Sequence, residues 1–321
     1  MRTLDSLLFS VRTAAIAGHV NPDGDSVGSC LAVYNYIRTY YPEIRTVLYL
    51  EQIPEKFLFL KNADQIRSAK TEETAEAYDL FLALDCADKG RLGNAAKIFS
   101  AAGHTVCVDH HVTNPCFAEI NEIQADASSA SELVYLMMDP ERITKEIAEC
   151  LYVGIAHDTG IFQYSCTSSR TMRIAGELMD RGIDYPKIVD ETWYIRTFAQ
   201  QKIWGKALLD SKLFLDGKCI FTALTRADLA ASGVTSKDLD GIVSVLRSTA
   251  GVEVSVFLYE TDGGCKISLR SSSFVDVAKI AMEFGGGGHA RAAGANTSGE
   301  IDAIRESLLS KIEEQLCITE F

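Results

Sequence analysis

The feature that most constrains the fold of this chain is a set of short apolar runs that end in side chains able to bind metal ions. The side chains lie in four polar segments far apart in the sequence, namely residues 19–25, Asp85, residues 109–111 and residues 157–158. Carboxylate and imidazole groups are ligands for divalent ions such as Mn²⁺ and Mg²⁺. Two such ions about 3.5 to 4 Å apart can activate water and stabilise an in-line displacement at phosphorus. The four segments therefore predict a two-metal hydrolase.

The apolar runs before these segments predict a parallel sheet covered on both faces, and hence an α/β fold. In such sheets the binding crevice lies beyond the carboxyl ends of the strands, so the polar segments would meet there without long loops. The predicted strands are residues 14–18, 46–50, 80–86 and 105–108.

Two helices are expected to carry the first and last polar segments. Apolar residues at helical spacing predict a helix over residues 27–38, with Asp25 or Ser26 as its N-cap. A second helical pattern over residues 147–155 leads to Asp158. The carboxylates would then be held at rigid helix ends.

Composition and charge exclude several classes of protein. The 321 residues are 47% hydrophobic, and no apolar run reaches the roughly 18 residues of a membrane span. We therefore expect a soluble cytoplasmic protein with no membrane partner. Nine cysteines without a C-x-x-C pair fit reduced thiols. A net charge of −13 argues against binding long duplex nucleic acid, which requires a basic surface.

A change of pattern part-way along the chain predicts two domains joined by a helical linker. Residues 1–185 form the expected metal-binding domain, residues 186–211 the linker, and residues 212–321 a smaller α/β domain with a mixed sheet. Asp216 and Gly217, between apolar runs, predict a two-residue hairpin turn. We expect the substrate to bind in a cleft between the domains.

A glycine-rich segment is the candidate binding site of the second domain. Gly286, Gly287 and Gly288 allow the backbone to approach an anion closely, and His289 and Arg291 add side-chain donors. We therefore expect this segment to bind part of the substrate.

Together these segments resemble the DHH phosphoesterase family with its DHH-associated C-terminal domain. The resemblance covers nearly the whole chain and rests on residues 19–29, Asp85, the Asp-His-His of residues 109–111, residues 158–160 and the Gly-Gly-Gly-Gly-His run. Within the family it is most similar to bacterial nano-RNases that also act on 3′-phosphoadenosine 5′-phosphate. It implies hydrolysis of RNA of about two to five nucleotides to mononucleotides, and of 3′-phosphoadenosine 5′-phosphate to AMP and phosphate.

The resemblance also implies two divalent ions, with Mn²⁺ first and Mg²⁺ or Co²⁺ as alternatives. One ion would be bound by Asp85 together with His19 and Asp23. The other would be bound by Asp85 and three further residues: Asp25, His110 and Asp158. Asp85 would bridge the two ions.

Further residues are implied to act on the substrate. His111 would face the phosphate as a catalytic group beside Asp85, and Asp109 would support the neighbouring histidine. In the second domain, Arg270 and His289 match positions that grip the nucleotide. Short RNA and nucleotides are the implied partners, and a homodimer is left open.

Some residues and the substrate have alternatives. His157 stands where the family pattern has a small polar residue, so a metal or phosphate contact and a structural role are both open. His104 is expected to be a structural residue at the start of a strand. The rival functions are a phosphodiesterase for c-di-AMP or linear diadenylate, a pyrophosphatase-like enzyme, and a non-catalytic nucleotide-binding module.

Overall fold

The computed structural model describes residues 1–71 and 77–318, without the side chains of residues 71, 289 and 318. It divides into two compact units, Met1–Ile195 and Arg196–Phe321. The expected linker, residues 186–211, is largely helical but is divided between the units, because their boundary falls inside it.

The first unit is built on a five-stranded parallel sheet, which confirms the expected fold class. Its strands are β1 (Thr13–Ala17), β2 (Arg45–Tyr49), β3 (Leu80–Leu84), β4 (His104–Asp109) and β5 (Ile120–Ile123). They lie in the order β2-β1-β3-β4-β5, with every neighbouring pair parallel. The first four strands were expected. β5 was missed because it is short and carries two polar residues among its four.

Alternate side chains of the central strands enter two different cores. On β1, Ala14 and Ile16 pack into one core, whereas Ala15 and Ala17 pack into the other. A strand that is buried on both faces reads as a continuous apolar run. This explains why β3 consists entirely of buried apolar residues.

The helices of the first unit are α1 (Leu4–Leu7), α2 (Gly24–Tyr40), α3 (Ala96–Ala101), α4 (Ala130–Met137), α5 (Lys145–Asp158), α6 (Ser169–Met179) and α7 (Tyr185–Val189). Short 3₁₀ turns lie at Glu55–Phe57, Ala63–Gln65, Ala69–Thr71, Lys89–Ala95 and Pro140–Arg142, and a π-helical turn lies at Asp190–Tyr194. α4 was not expected.

The start of α2 corrects the predicted cap. The helix begins at Gly24, and its N-cap is Asp23 instead of Asp25 or Ser26. The Asp23 side chain accepts hydrogen bonds from the amides of Asp25 and Ser26, at 3.0 and 3.1 Å. Because capping fixes the rotamer of Asp23, it also fixes the turn on which two expected ligands lie.

α2 and α5 touch through glycines. A Cβ added to Gly28 would lie 2.4 Å from the carbonyl oxygen of Cys150 and 2.9 Å from the amide nitrogen of Gly154. Backbone therefore meets backbone at this point, and no side chain separates the helices. Asp25 lies at the start of α2 and Asp158 at the end of α5, so the contact limits the spacing of the two helices that carry these residues.

The second unit contains a six-stranded mixed sheet. Its strands are β6 (Lys212–Phe214), β7 (Cys219–Leu224), β8 (Val254–Thr261), β9 (Gly264–Ser271), β10 (Gly287–His289) and β11 (Ala292–Thr297), in the order β10-β11-β9-β8-β7-β6. Only β7 and β8 are parallel neighbours. The expected mixed sheet is therefore confirmed.

The helices of the second unit are α8 (Phe198–Leu209), α9 (Arg226–Ser232), α10 (Ile242–Arg247), α11 (Val277–Glu283) and α12 (Ile301–Ile318), with a 3₁₀ turn at Ser236–Leu239. None of the helices within residues 1–71 and 77–318 is long and apolar enough to cross a membrane.

The predicted hairpin forms, but its turn is longer than expected. Phe214 on β6 pairs with Cys219 on β7, which leaves a four-residue loop in place of the predicted two-residue turn. Leu215, Asp216 and Gly217 all have positive φ, at 54°, 51° and 82°. The Asp-Gly pair therefore forms the end of a left-handed stretch.

We predict that Gly28→Ala destabilises the protein by about 1–3 kcal/mol, because its Cβ would collide with backbone atoms of α5. Gly176→Ala is the matched control, since Gly176 lies on helix α6 with no atom within 4 Å of the added Cβ. The control should instead stabilise the protein by about 1 kcal/mol through helix propensity. Urea denaturation measures the free energy of unfolding of both variants. A change in the same direction in the two variants would contradict the proposed close packing.

Candidate metal centre

The segment after β1 places His19 at the carboxyl end of the sheet. The backbone amide of His19 donates to Ser26 Oγ at 3.1 Å, and His19 Nδ1 lies 2.8 Å from the carbonyl oxygen of Val20. When Nδ1–H donates to that carbonyl, Nε2 can bind a metal ion. Nε2 lies 3.4 Å from Asp85 Oδ2 and 3.6 Å from Asp23 Oδ2.

Asp85 lies at the centre of the cluster. It follows β3 directly and is 2% exposed. Its Oδ2 faces His19 Nε2 at 3.4 Å, whereas its Oδ1 lies 3.7 Å from His110 Nε2. Burial raises the pKa of Asp85, but the interactions with His110 and His19 outweigh burial and hold this pKa well below its usual value. The two oxygens of one ionised carboxylate therefore face two different groups.

Asp25 and Asp158 surround His110 on the other side. His110 Nε2 lies 3.0 Å from Asp158 Oδ2. Asp25 is fully buried, and its Oδ2 and Oδ1 accept the backbone amides of Ala130 and Ser131, at 2.6 and 2.9 Å. These amides belong to the first turn of α4. Each Asp25 oxygen retains a second lone pair that could bind an ion.

The chemistry of these donors fits divalent ions. Three sets of side chains within the described residues bring ligand atoms within 4.8 Å of one another: His19, Asp23 and Asp85; Asp25, His110 and Asp158; and Asp85, Asp109, His110 and His111. The first two sets bring together residues that were expected as ligands; Asp85 belongs to the first set, and its Oδ1 lies 3.7 Å from His110 Nε2 of the second. Oxygen and imidazole donors in these numbers suit Mn²⁺ or Mg²⁺.

Asp109 is held by hydrogen bonds that give it a different role from the other carboxylates. It is fully buried, its Oδ1 lies 2.7 Å from His111 Nδ1, and its Oδ2 accepts from Asn114 Nδ2 at 2.7 Å. The hydrogen bond with Asp109 raises the pKa of His111 and keeps Nδ1 protonated. Asn114 also donates to the carbonyl oxygen of Cys86 at 2.9 Å, which fixes the whole chain of contacts.

The carboxylates of the cluster raise the pKa values of two histidines, the buried His19 and the half-buried His110. Burial lowers the pKa of His19, but Asp23 and Asp85 outweigh burial and raise this pKa to about 10. Burial likewise lowers the pKa of His110, but Asp158 and Asp85 raise it to about 12. Burial raises the pKa of Asp158 to about 6. A proton on each imidazole would offset part of the negative charge of the cluster.

His157 has a structural position. Its ring centroid lies 5.0 Å from that of Phe57 and 5.2 Å from that of Trp193, and its Nε2 lies 2.9 Å from Thr192 Oγ1. Burial lowers the pKa of His157 to about 3, so the ring is neutral. A Cβ on Gly24 would lie 2.4 Å from this ring. Of the two alternatives for His157, these contacts favour the structural role.

The candidate residues of the second unit lie on adjoining strands. Arg270 on β9 pairs with Ala292 on β11, and β11 pairs in turn with β10, which contains Gly287 and Gly288. A Cβ on Gly288 would lie 2.5 Å from the carbonyl oxygen of Ala292. Part of the glycine run is therefore a strand in close contact with its neighbour. The side chain of His289 lies outside the described part of the structure.

Arg291 contacts the loop after β9. Its Nη1 donates to the carbonyl oxygen of Val275 at 2.8 Å and lies 3.3 Å from Ser271 Oγ. Arg291 therefore holds the loop that follows Arg270, a contact that the sequence pattern did not predict.

Two family models match the chain. The DHH family, N-terminal domain, matches residues 13–155, and the DHHA1 domain matches residues 216–316. Over 304 residues the chain is 31% identical to the bifunctional oligoribonuclease and PAP phosphatase NrnA of Thermus thermophilus, with 94% of this chain and 89% of that protein covered. The chain belongs to the DHH family. The resemblance seen in the sequence is thereby confirmed, and the protein is a metal-dependent phosphoesterase with a DHH and a DHHA1 domain.

Two further proteins support the same assignment over nearly the full length. The bifunctional oligoribonuclease and PAP phosphatase NrnA of Bacillus subtilis is 28% identical over 294 residues, covering 88% of this chain and 89% of that protein. The crystal structure of an exopolyphosphatase-related protein from Bacteroides fragilis superposes with a TM-score of 0.92 at 25% identity, covering 99% and 96% of the two chains. The similarity to known proteins therefore extends over most of the chain and is not confined to one domain.

Two elements of the DHH domain site were missed by sequence reasoning. One is the start of α4, whose amides bind Asp25. The Ser-x-x-Glu pattern from Ser129 to Glu132 was the available signal, because Ser129 caps the helix by accepting the amide of Glu132. The other is Asn114, which supports Asp109 from five residues away. The sequence gives no local signal for this contact.

We predict that Mn²⁺ binding to metal-free protein at about pH 7.5 releases about two protons. Ligation needs neutral imidazole, whereas the raised pKa values of His19, about 10, and His110, about 12, keep both rings protonated below those values. Titration calorimetry in buffers of different ionisation enthalpy counts the protons. His104→Ala should not change the number, since His104 is exposed and paired with Glu119. A binding enthalpy that is independent of the buffer would contradict the prediction.

Proposed function

We propose that this DHH phosphoesterase hydrolyses short oligoribonucleotides to mononucleotides, and 3′-phosphoadenosine 5′-phosphate to AMP and phosphate. The observation that carries the proposal is the position of Asp85, whose two oxygens face His19 and His110 separately. The substrates are supported by the relatives, which are named for oligoribonuclease and PAP phosphatase activity and align with this chain almost end to end.

Two divalent ions, in our proposal Mn²⁺, would be held by the two ligand sets that share Asp85. When bound, such ions lower the pKa of a bound water and stabilise the charge that develops at phosphorus. Mg²⁺ and Co²⁺ are alternatives with similar ligand preferences. Four carboxylates contribute charge to the two sets: Asp23, Asp25, Asp85 and Asp158. Two divalent ions would balance that charge, so further positive groups are needed to hold a phosphate.

We propose that His111 supplies such a group. Asp109 orients the ring through Nδ1, and this contact raises the pKa of His111 and favours the protonated form. In that state Nε2–H can donate to a phosphate oxygen as negative charge develops there. Asn114 and Asp109 act as positioning residues, because they hold the ring without touching the substrate.

We propose that the DHHA1 domain binds the nucleotide part of the substrate. Arg270 and His289 would donate to phosphate or base groups, and the backbone at Gly286 to Gly288 would allow close approach. Arg291 would act mainly through the loop that it holds at Val275. Short substrates agree with the net charge of −13, since an acidic protein does not retain a long polyanion. We also propose a cytoplasmic location, since short RNA and nucleotides are the proposed substrates.

A substrate panel tests the proposal directly. With Mn²⁺ present, five-nucleotide RNA, linear diadenylate and 3′-phosphoadenosine 5′-phosphate should be turned over faster than c-di-AMP or pyrophosphate. Faster turnover of c-di-AMP would instead favour a cyclic dinucleotide phosphodiesterase. Phosphate release from pyrophosphate alone would favour a pyrophosphatase-like enzyme.

We predict that Asp85→Asn lowers activity by more than about 100-fold, because loss of even an outer-shell group costs about 10–100-fold. The substitution keeps the shape of a side chain that is 2% exposed but removes the charge shared by the two ligand sets. Diadenylate turnover with Mn²⁺ and thermal unfolding of the same samples provide the measurement. His104→Ala is the control and should retain full activity. Retention of more than a few per cent of activity by Asp85→Asn would exclude the bridging role.

We predict that His289→Ala lowers kcat/KM for diadenylate about 10-fold to 150-fold, the value of one charge-assisted hydrogen bond of about 1.5–3 kcal/mol. For bis-p-nitrophenyl phosphate, a small diester without a nucleoside, the decrease in kcat/KM should be much smaller. Lys279→Ala is the control from the same domain, since the Lys279 side chain is 72% exposed. Equal losses on both substrates would place His289 in the chemical step.

A further inference from the structure

The chain makes an unusual turn directly after α5. Gly160, Ile161 and Phe162 adopt consecutive left-handed conformations, with φ of 57°, 55° and 62°. This region is unfavourable for residues other than glycine, above all for a β-branched residue such as Ile161. Thr159 holds the turn, because its Oγ1 accepts the amide of Phe162 at 3.0 Å and its carbonyl oxygen accepts the amide of Tyr164 at 2.8 Å. A strained turn that is held this firmly fixes the residues that follow it.

The turn sets the ring of Tyr164 against Gly160. A Cβ on Gly160 would lie 2.4, 2.6 and 2.7 Å from three ring carbons of Tyr164, so the ring lies closely over this glycine. Tyr164 nevertheless remains 36% exposed. Gly160 is two residues beyond Asp158, and Cys166 Sγ lies 3.7 Å from the carbonyl oxygen of Asp158. The loop therefore folds back onto the helix end that carries a proposed metal ligand.

The exposed rim of this loop is uncharged. Its exposed residues are Gln163, Tyr164, Ser165 and Cys166. The candidate ligands of the neighbouring metal centre, by contrast, include five carboxylates. Ions and cationic side chains hold the phosphates of a nucleotide, whereas an exposed aromatic ring suits the flat face of a nucleobase.

We propose that Tyr164 is a stacking platform for a nucleobase next to the scissile phosphate. This inference rests on the proposed nucleotide substrates and adds a base-binding residue within the DHH domain itself. Because the ring is already fixed on a hydrogen-bonded turn, little conformational freedom is lost when a base binds. Since every base has an aromatic face, stacking binds bases without selecting their sequence. That property suits an enzyme that degrades short RNA of mixed sequence.

The test compares Tyr164→Ala and Tyr164→Phe on diadenylate and on the same dinucleotide without its two bases. With Mn²⁺ present, Tyr164→Ala should lower kcat/KM for diadenylate about 5-fold to 150-fold, mainly through KM, and should not affect the abasic compound. Tyr164→Phe keeps the ring and should retain wild-type kcat/KM on both. Phe9→Ala removes another aromatic side chain, which is 83% exposed, and should leave kcat/KM for both substrates unchanged.

Any one of three kinetic results would overturn the inference. They are unchanged kinetics in Tyr164→Ala, equal losses on the two substrates, and a loss in Tyr164→Phe as large as in Tyr164→Ala. Mn²⁺ affinity measured by calorimetry should be the same in every variant, and a decrease in Tyr164→Ala would assign the ring to positioning Asp158 instead.

Failure of the proposed function is seen separately, because wild-type protein would then turn over neither five-nucleotide RNA nor 3′-phosphoadenosine 5′-phosphate. Calorimetric binding of AMP to the wild type and to Tyr164→Ala decides the inference in that case. Equal AMP affinities, or no AMP binding by the wild type, would overturn it.

Discussion

Repulsion between carboxylates that share one edge of a buried sheet is the constraint that the DHH domain has to satisfy. Asp25 and Asp85 are almost completely buried, where an uncompensated charge is very costly. The fold places His19 and His110 against Asp85, and directs the first amides of α4 at Asp25. The residual negative charge is what divalent ions would neutralise. The positions of strand ends, helix starts and histidines therefore all serve to reduce the repulsion between these carboxylates.

Much of this arrangement follows from local patterns. The central strands are buried on both faces, so they read as uninterrupted apolar runs, and the first polar residue after β3 is Asp85. Because parallel strands bring their carboxyl ends to one edge, the sequence was enough to predict which polar segments would meet. The helical pattern that ends at Asp158 could also be recognised in the sequence, because α5 is a long buried helix.

Contacts between segments that are distant in the sequence could not be predicted from it. The backbone amide of Ala130 donates to Asp25, although the two residues are 105 positions apart in the sequence. No pattern in either segment indicates this contact. The choice between roles for His157 depended on Phe57 and Trp193, which approach it from separate parts of the chain. The cap of α2 was misassigned because Asp23, Asp25 and Ser26 are all good capping residues, and only the backbone conformation distinguishes them.

The glycine contact between α2 and α5 also bears on which ions the cluster accepts. Where backbone atoms touch at Gly28, no side chain can change its rotamer to let the helices move apart. The two helices that carry Asp25 and Asp158 are therefore closely spaced. Ca²⁺ prefers six to eight oxygen ligands at about 2.3–2.6 Å in a flexible shell, whereas Mg²⁺ is bound at about 2.0–2.1 Å. A site on two helices spaced in this way would favour the smaller ion, so the packing of two core helices would contribute to the choice of ion.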